Sequence, residues 1–220
     1  MGHFSFDAAH LFSGGLVLVS FMLLYQDRMS GLINIFTLHA VILSLSVGWQ
    51  AYTQNAPQLF VTAAITMIFK ALLIPISLQN IMVRLQIHRD IEVIGGIGIT
   101  MLVGIGLVAL SLVVMLPATA SAEPLAREDI SFALSVVLLG LLMMVTRRNA
   151  VSQVIGFMSL ENGLILAATG ANGMPFVVEI SVAFSVLIAF IVIGIFLFRI
   201  RERFDTVDIR ELDRVRRDYQ

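Results

Sequence analysis

The sequence predicts an all-α integral membrane protein of about seven transmembrane helices. Two observations carry that class. Hydrophobic residues make up 58% of the 220 positions and charged residues only 13%, against about 25% charged in an ordinary soluble domain. The apolar residues also gather into seven stretches, with approximate limits 9–25, 30–51, 57–81, 94–116, 130–146, 150–170 and 174–198. Each is near the ~20 residues that cross a hydrocarbon core, and too long for a barrel strand. Only helices and closed barrels satisfy every backbone polar group in lipid.

The stretches follow one another through short connections, and the positive charges of these connections alternate. Arg28 follows the first stretch, Arg84 and Arg89 the third, Arg147 and Arg148 the fifth, and Arg199, Arg201 and Arg203 the seventh. The loops 52–56 and 171–173 carry no charge, and the loop 117–129 has Arg127 against Glu123, Glu128 and Asp129. Cytoplasmic loops are the ones rich in Lys and Arg. The pattern predicts an N-terminus outside and a C-terminus in the cytoplasm, which also requires an odd number of spans. Trp49 and Tyr52 fall at the predicted outer interface, where aromatic belts lie. In the fourth stretch Gly96, Thr100 and Gly104 recur every four residues, a small-residue stripe suited to close helix packing.

The chain also repeats. Thr37-Leu-His-Ala-Val-Ile-Leu43 aligns with Ser159-Leu-Glu-Asn-Gly-Leu-Ile165, and the same offset pairs Gly48 with Gly170. Pro57 opens the third stretch as Pro175 opens the seventh, and Arg28 corresponds to Arg148. The expected organisation is a parallel repeat: a three-helix unit (1–92), an inserted helix with its outer loop (93–129) and a second three-helix unit (130–198). Residues 199–220 hold seven arginines and six acids, with Ile209, Leu212, Val215 and Tyr219 near helical spacing. That segment reads as an amphipathic cytoplasmic tail, either a solvated salt-bridged helix or a docking element.

Several functions are excluded early. A formal charge of −1 gives no field for nucleic acid, and the absence of cysteine removes disulfides, Fe–S clusters and thiol catalysis. His3, His10, His39 and His88 have no metal-ligand spacing. The first ten residues lack a basic n-region, so no cleaved signal peptide is expected. Ala118-Thr-Ala-Ser-Ala122 imitates a peptidase site, but the apolar run before it is far longer than a signal h-region.

The informative residues are the ionisable ones inside apolar stretches. Lys70, the single lysine, lies in mid-stretch, where a charge costs at least about 2.5–3.5 kcal/mol. Pro75, one turn on, frees the carbonyl near Ala71 and weakens the helix there. Lys70 is therefore expected to pair with a carboxylate, as part of a switch or as a static clamp. Glu161 stands near the centre of the sixth stretch beside Asn162, where a carboxyl can load and release protons or serve as an interhelical hydrogen bond. Glu179 lies one turn inside the seventh stretch and reads equally as a relay acid or a helix-terminal acid. His39, at the repeat position of Glu161, is a proton shuttle or a satisfied interface histidine. On separate helices, these side chains are expected to communicate through water.

Arg147-Arg-Asn149, followed by a helix with an intramembrane acid, a short loop and a third helix, resembles the small three-helix K-type subunit of respiratory complex I, also found in Mrp-type antiporters. Asp205-Thr-Val-Asp208 resembles the end of that subunit. Phe69-Lys-Ala-Leu-Leu-Ile-Pro75, Leu160-Glu-Asn-Gly163 and Val178-Glu-Ile180 resemble component E of hydrogenase 4, over nearly the whole chain. Aligned on Arg147, the K-type helix-two glutamate falls at Met158, one turn before Glu161, and its third-helix glutamate near Phe184 or Ser185.

The resemblance implies a non-catalytic membrane-arm subunit of a redox-driven, proton-translocating complex in the bacterial cytoplasmic membrane. Its partners would be antiporter-like membrane subunits, and it would hold no cofactor or metal. Glu161 would carry protons, Lys70 would tune it, and Glu179 and His39 would be auxiliary relay positions. Two other readings use the same residues: a small secondary transporter of a charged solute, and a structural scaffold with static ion pairs.

Overall fold

The computed structural model describes residues 2–85, 93, 95–118, 124–170 and 187. Within them the chain forms α1 (Gly2–Tyr25), α2 (Met29–Thr53), α3 (Pro57–Ile65), a π-helical stretch (Thr66–Leu73), α4 (Ile74–Leu85), α5 (Ile97–Ala118), α6 (Pro124–Thr146) and α7 (Ala150–Gly170). The stretch 174–198, the tail 199–220 and Glu179 lie outside the described residues. Among the described residues six helices are long and apolar enough to cross a membrane, with α3, the π-helical stretch and α4 forming one continuous span over Pro57–Asn80. The protein is thus a multi-pass helical membrane protein.

Four helices make the centre: α1 packs on α2 and α6, and α2 and α6 each pack on α7. The span built from α3, the π-helical stretch and α4 packs on α2, while α5 packs on α6 and α1. Leu16, Leu32, Phe36, Leu43, Leu139, Met158 and Ile165 fill the interior. The outward face of α5 carries Ile99, Leu102, Ile105 and Val113, each more than 60% exposed. A helix wet on neither side but apolar all round belongs in hydrocarbon.

The closest helix approach is between α6 and α7, and glycine makes it possible. A Cβ added to Gly140 would stand 2.5 Å from the Leu160 amide nitrogen and 2.9 Å from the Gly156 carbonyl oxygen. A Cβ on Gly163 would meet the Val137 nitrogen at 2.8 Å. The backbones therefore touch, as small-residue interfaces allow in membranes. The stripe expected in the fourth stretch contributes less. Gly96 precedes α5 at φ +85°, and a Cβ there would meet nothing within 4 Å. Gly104 does pack tightly, against side chains of Phe21, Leu24 and Leu139.

Two boundaries differ from expectation. α1 begins at Gly2 instead of near residue 9, and α6 begins at Pro124 within the segment read as the loop 117–129. Proline is well suited to a first helical turn, where its missing N–H costs nothing. Asp129, expected in an outer loop, is therefore helical and only 2% exposed.

Replacing Gly140 with valine drives side-chain atoms into the α7 backbone and is expected to cost at least the ~1–3 kcal/mol of ordinary overpacking. Gly106, where an added Cβ meets nothing within 4 Å, is the control. Unfolding midpoints in detergent should fall for Gly140→Val and stay near wild type for Gly106→Val.

Candidate functional site

The site is assembled around Lys70 in mid-span. Pro75 cannot donate a backbone hydrogen bond, and its ring crowds the carbonyl four residues back. The chain answers with a wider helix: Thr66–Leu73 is π-helical, and the Ile74 amide donates to the Phe69 carbonyl. Such π segments inside α-helices occur frequently at functional sites. Thr66, Lys70 and Ala71 point inward from this stretch and are buried.

Lys70 reaches from its own span to α7. Its Nζ stands 3.2 Å from Glu161 Oε2 and donates to Asn162 Oδ1 at 2.7 Å. Lys70 is 1% exposed and Glu161 3%. A buried ion pair survives only with good geometry and further hydrogen bonds, because both ions have lost their water. Asn162 supplies that support and extends it. Its Nδ2 lies 2.9 Å from His39 Nδ1, and His39 Nε2 lies 3.0 Å from Ser20 Oγ. The Ser20 hydroxyl donates to the Leu16 carbonyl at 2.8 Å.

The direction of every bond in this chain follows from its first member. An ammonium group can only donate, so Asn162 presents its oxygen to Lys70 and its NH2 to His39. His39 Nδ1 is then an acceptor, and its proton sits on Nε2, donated to Ser20. The network is a neutral Nε2–H imidazole joined to an ion pair by one amide. Four helical segments meet in it: the π-helical stretch, α7, α2 and α1.

Three of the four residues expected at the site are therefore together, in contact rather than joined by water. Lys70 and Glu161 pair directly, and His39 is one side chain removed through Asn162. Direct contact is possible because the lysine side chain is long and the π-helical turn aims it at α7. Glu179 lies outside the described residues. Among the described residues no group of three or more His, Asp or Glu could hold a metal ion.

No protein-family model matches the chain, and no solved structure matches it. Its sequence is similar to the uncharacterized protein Rv0085 of Mycobacterium tuberculosis, at 26% identity over 208 residues. The similarity covers 93% of this chain and 94% of that protein.

Two further polar residues are buried in ways the sequence did not announce. Arg147, expected among solvated cytoplasmic charges, is 1% exposed. Its Nη2 donates to the carbonyls of Leu23, Leu24 and Gln26 at 3.1, 2.8 and 2.8 Å, capping the end of α1. A cation at that terminus also meets the negative end of the helix dipole. The neighbouring Arg148 is exposed, so the two arginines part company. Asp129 is the second; it accepts from Ser13 Oγ at 2.6 Å and from Gln50 Nε2 at 3.3 Å. The signals available were Pro124 as a helix start and Gln50 inside the second apolar stretch, with Gln54 one turn further on.

Removing one partner of the buried pair strands the other. Lys70→Ala is expected to destabilise by about 3–5 kcal/mol, the usual cost of an uncompensated buried charge. The double variant Lys70→Met with Glu161→Met should recover much of that loss. Unfolding midpoints of the single and double variants measure the coupling, and additive losses would mean the two groups act independently.

Proposed function

We propose that this chain is a non-catalytic membrane-arm subunit of a complex I-related, redox-driven proton-translocating assembly of the bacterial cytoplasmic membrane, of the kind that contains component E of hydrogenase 4. The observation that carries this reading is the Lys70–Glu161 ion pair, buried in mid-span at 3.2 Å on a π-helical segment. Ionisable residues at that depth are functional by default, and a lysine–glutamate pair offers a proton acceptor with its counter-charge beside it. The motifs around Lys70, Leu160–Gly163 and Val178–Ile180 point the same way.

In this reading Glu161 carries the proton. A proton arriving on its carboxylate cancels the attraction to Lys70, whose ammonium stays with Asn162 Oδ1. When the proton leaves, the pair re-forms. His39 stands behind an amide that cannot pick up and release a proton at one atom, so its part is to orient Asn162. Glu179 would be the next acid, on the seventh span. The proposed orientation has the N-terminus outside and the C-terminus in the cytoplasm, with antiporter-like subunits as neighbours in the bilayer.

A transporter of a charged solute would show substrate-dependent transport as the purified chain alone, which the relay reading does not expect. A scaffold with a static pair makes a different prediction from a relay. Glu161→Gln keeps the shape and hydrogen-bonding capacity of the side chain but cannot exchange a proton as a carboxyl does. The relay reading expects the variant to assemble with its partners and retain soluble redox chemistry. Proton pumping per electron in vesicles should fall to near background. Glu161→Asp should keep part of it. Pumping at the wild-type level in Glu161→Gln would reduce the pair to a scaffold contact.

Topology has a separate check. Cysteines introduced singly at Asp27 and Asn55, at the two ends of α2, should label from opposite sides of the membrane, with position 27 cytoplasmic. The native chain contains no competing cysteine.

A further inference from the structure

A second polar layer lies where α2 ends and α6 begins. Asp129 is its acid. Gln50 Nε2 donates to Asp129 Oδ2 at 3.3 Å, Gln54 Nε2 donates to Gln50 Oε1 at 3.3 Å, and the same Gln54 nitrogen donates to the Thr169 carbonyl at 2.9 Å. On the other side Ser13 Oγ is within bonding distance of two acceptors, Asp129 Oδ1 at 2.6 Å and the Ala9 carbonyl at 3.0 Å. A hydroxyl has one proton to give. If Asp129 is ionised, Ser13 donates to it. If Asp129 is protonated, its O–H donates to Ser13 Oγ, and the serine proton turns to Ala9. The Ser13 contact thus accommodates both protonation states by rotation of the hydroxyl alone. A metal ion fits it poorly, because Gln50 presents nitrogen to the carboxylate.

The layer is stacked on the Lys70 network. On α1 the inward polar residues are Ser13 and Ser20, two turns apart. On α2 they are His39, Ser46 and Gln50, on one face. Seven residues of helix rise about 10 Å, and the buried Leu16, Leu43 and Leu166 belong to the same stretch of the helices. Ser46 lies in that interval; its hydroxyl is buried and has no hydrogen-bond partner. Buried hydroxyls are nearly always satisfied by protein or water, so this one marks a point that water can join. Of the other titratable groups at this level, α6 carries Arg127 and Glu128 directly before Asp129, and α1 brings Asp7 and His10, with His10 edge-on to Phe132 at 5.7 Å. α2 brings only the exposed Tyr52, and α7 brings none after Glu161.

We propose that Asp129, with Ser13 and Gln50, is a second proton-carrying site, and that protons pass between it and the Lys70–Glu161 pair through water admitted at Ser46. This rests on the relay reading of Glu161 and gives that relay its continuation toward the α2–α3 end of the bundle. At the Ser13 contact, proton uptake changes Asp129 Oδ1 and the rotation of the Ser13 hydroxyl, and release reverses both.

The test is proton translocation by the assembled complex in vesicles, measured for Asp129→Asn, Ser46→Ala and Glu161→Gln. Asp129→Asn keeps the size and the contacts of the carboxyl; it should assemble and lose translocation. Ser46→Ala should slow translocation without abolishing it. Wild-type translocation in Asp129→Asn, with Glu161→Gln inactive, would overturn the second site and leave the first standing. Wild-type translocation in Glu161→Gln would instead overturn the relay itself. Infrared difference spectra of the wild-type complex on changing pH supply a readout that does not depend on the Asp129 variant assembling. A protonated-carboxyl band that shifts in Ser13→Ala is expected, and its absence across the working pH range would likewise overturn the proposal.

Discussion

A lysine ammonium in the middle of a bilayer must find its compensation inside the protein, and most of this structure can be understood as supplying it. Lys70 obtains a carboxylate from Glu161 and a carbonyl-type oxygen from Asn162, both on α7. For those two consecutive residues to face the same cation, α7 must be held at one rotation and one height. The glycine contact with α6 does this: Gly156 and Gly163 lie on either side of the Glu161 turn, backbone against backbone with α6. Had α7 carried larger residues at those positions, the helices would separate and the pair would open. The ion pair thus depends on packing a few ångströms away that contains no charge.

The remaining helices divide into a frame and an appendage. α1 is tied to α6 by Arg147 and by Ser13 with Asp129, and α2 is tied to α6 and α7 by Gln50, Gln54 and His39. The span carrying Lys70 has a different relation to this frame. Its backbone packs on α2, with Ser44 donating to the Ala63 carbonyl at 2.8 Å. Its hold on α7 is Lys70 itself. Few contacts to the rest of the frame, among the described residues, are a feature of the less stable elements of a protein, so motion is most easily accommodated here.

Much of this was legible in the sequence. Apolar run length gave six spans that the described residues contain, since bilayer thickness is a strong constraint on any chain. Cost gave the site: Lys70, Glu161 and His39 stood out because charge and polarity are expensive in lipid, and only mutual pairing makes them tolerable. What escaped was three-dimensional in origin. Asp129 and Arg147 sit at span ends, where sequence cannot distinguish a solvated loop charge from one folded under a neighbouring helix. Asn162 was passed over as the companion of Glu161, although its two-sided amide is what links the histidine to the pair. The small-residue stripe of the fourth stretch marked packing at Gly104, but glycine spacing recurs in several helices, and only the fold says that the α6–α7 contact is made backbone to backbone. Pro75 signalled a weak turn, and the wider helix that relieves it could not be read from a single residue.

The polar chain from Lys70 to α1 has a sense, and that sense makes it informative. Each bond points the same way, from ammonium to amide, amide to imidazole, imidazole to hydroxyl, hydroxyl to the Leu16 carbonyl. Nothing fixes the order except the fact that Lys70 has only protons to offer. Were Lys70 to become neutral, its lone pair could accept, Asn162 would be free to turn over, and His39 would be offered an oxygen in place of an NH2. Its proton would then move to the other ring nitrogen, and Ser20 would release Leu16 and donate to the ring. The charge on one side chain would be reported three residues away, on a different helix, as the loss or gain of a single backbone hydrogen bond. In such a chain the imidazole acts as the record of an event it does not itself carry out.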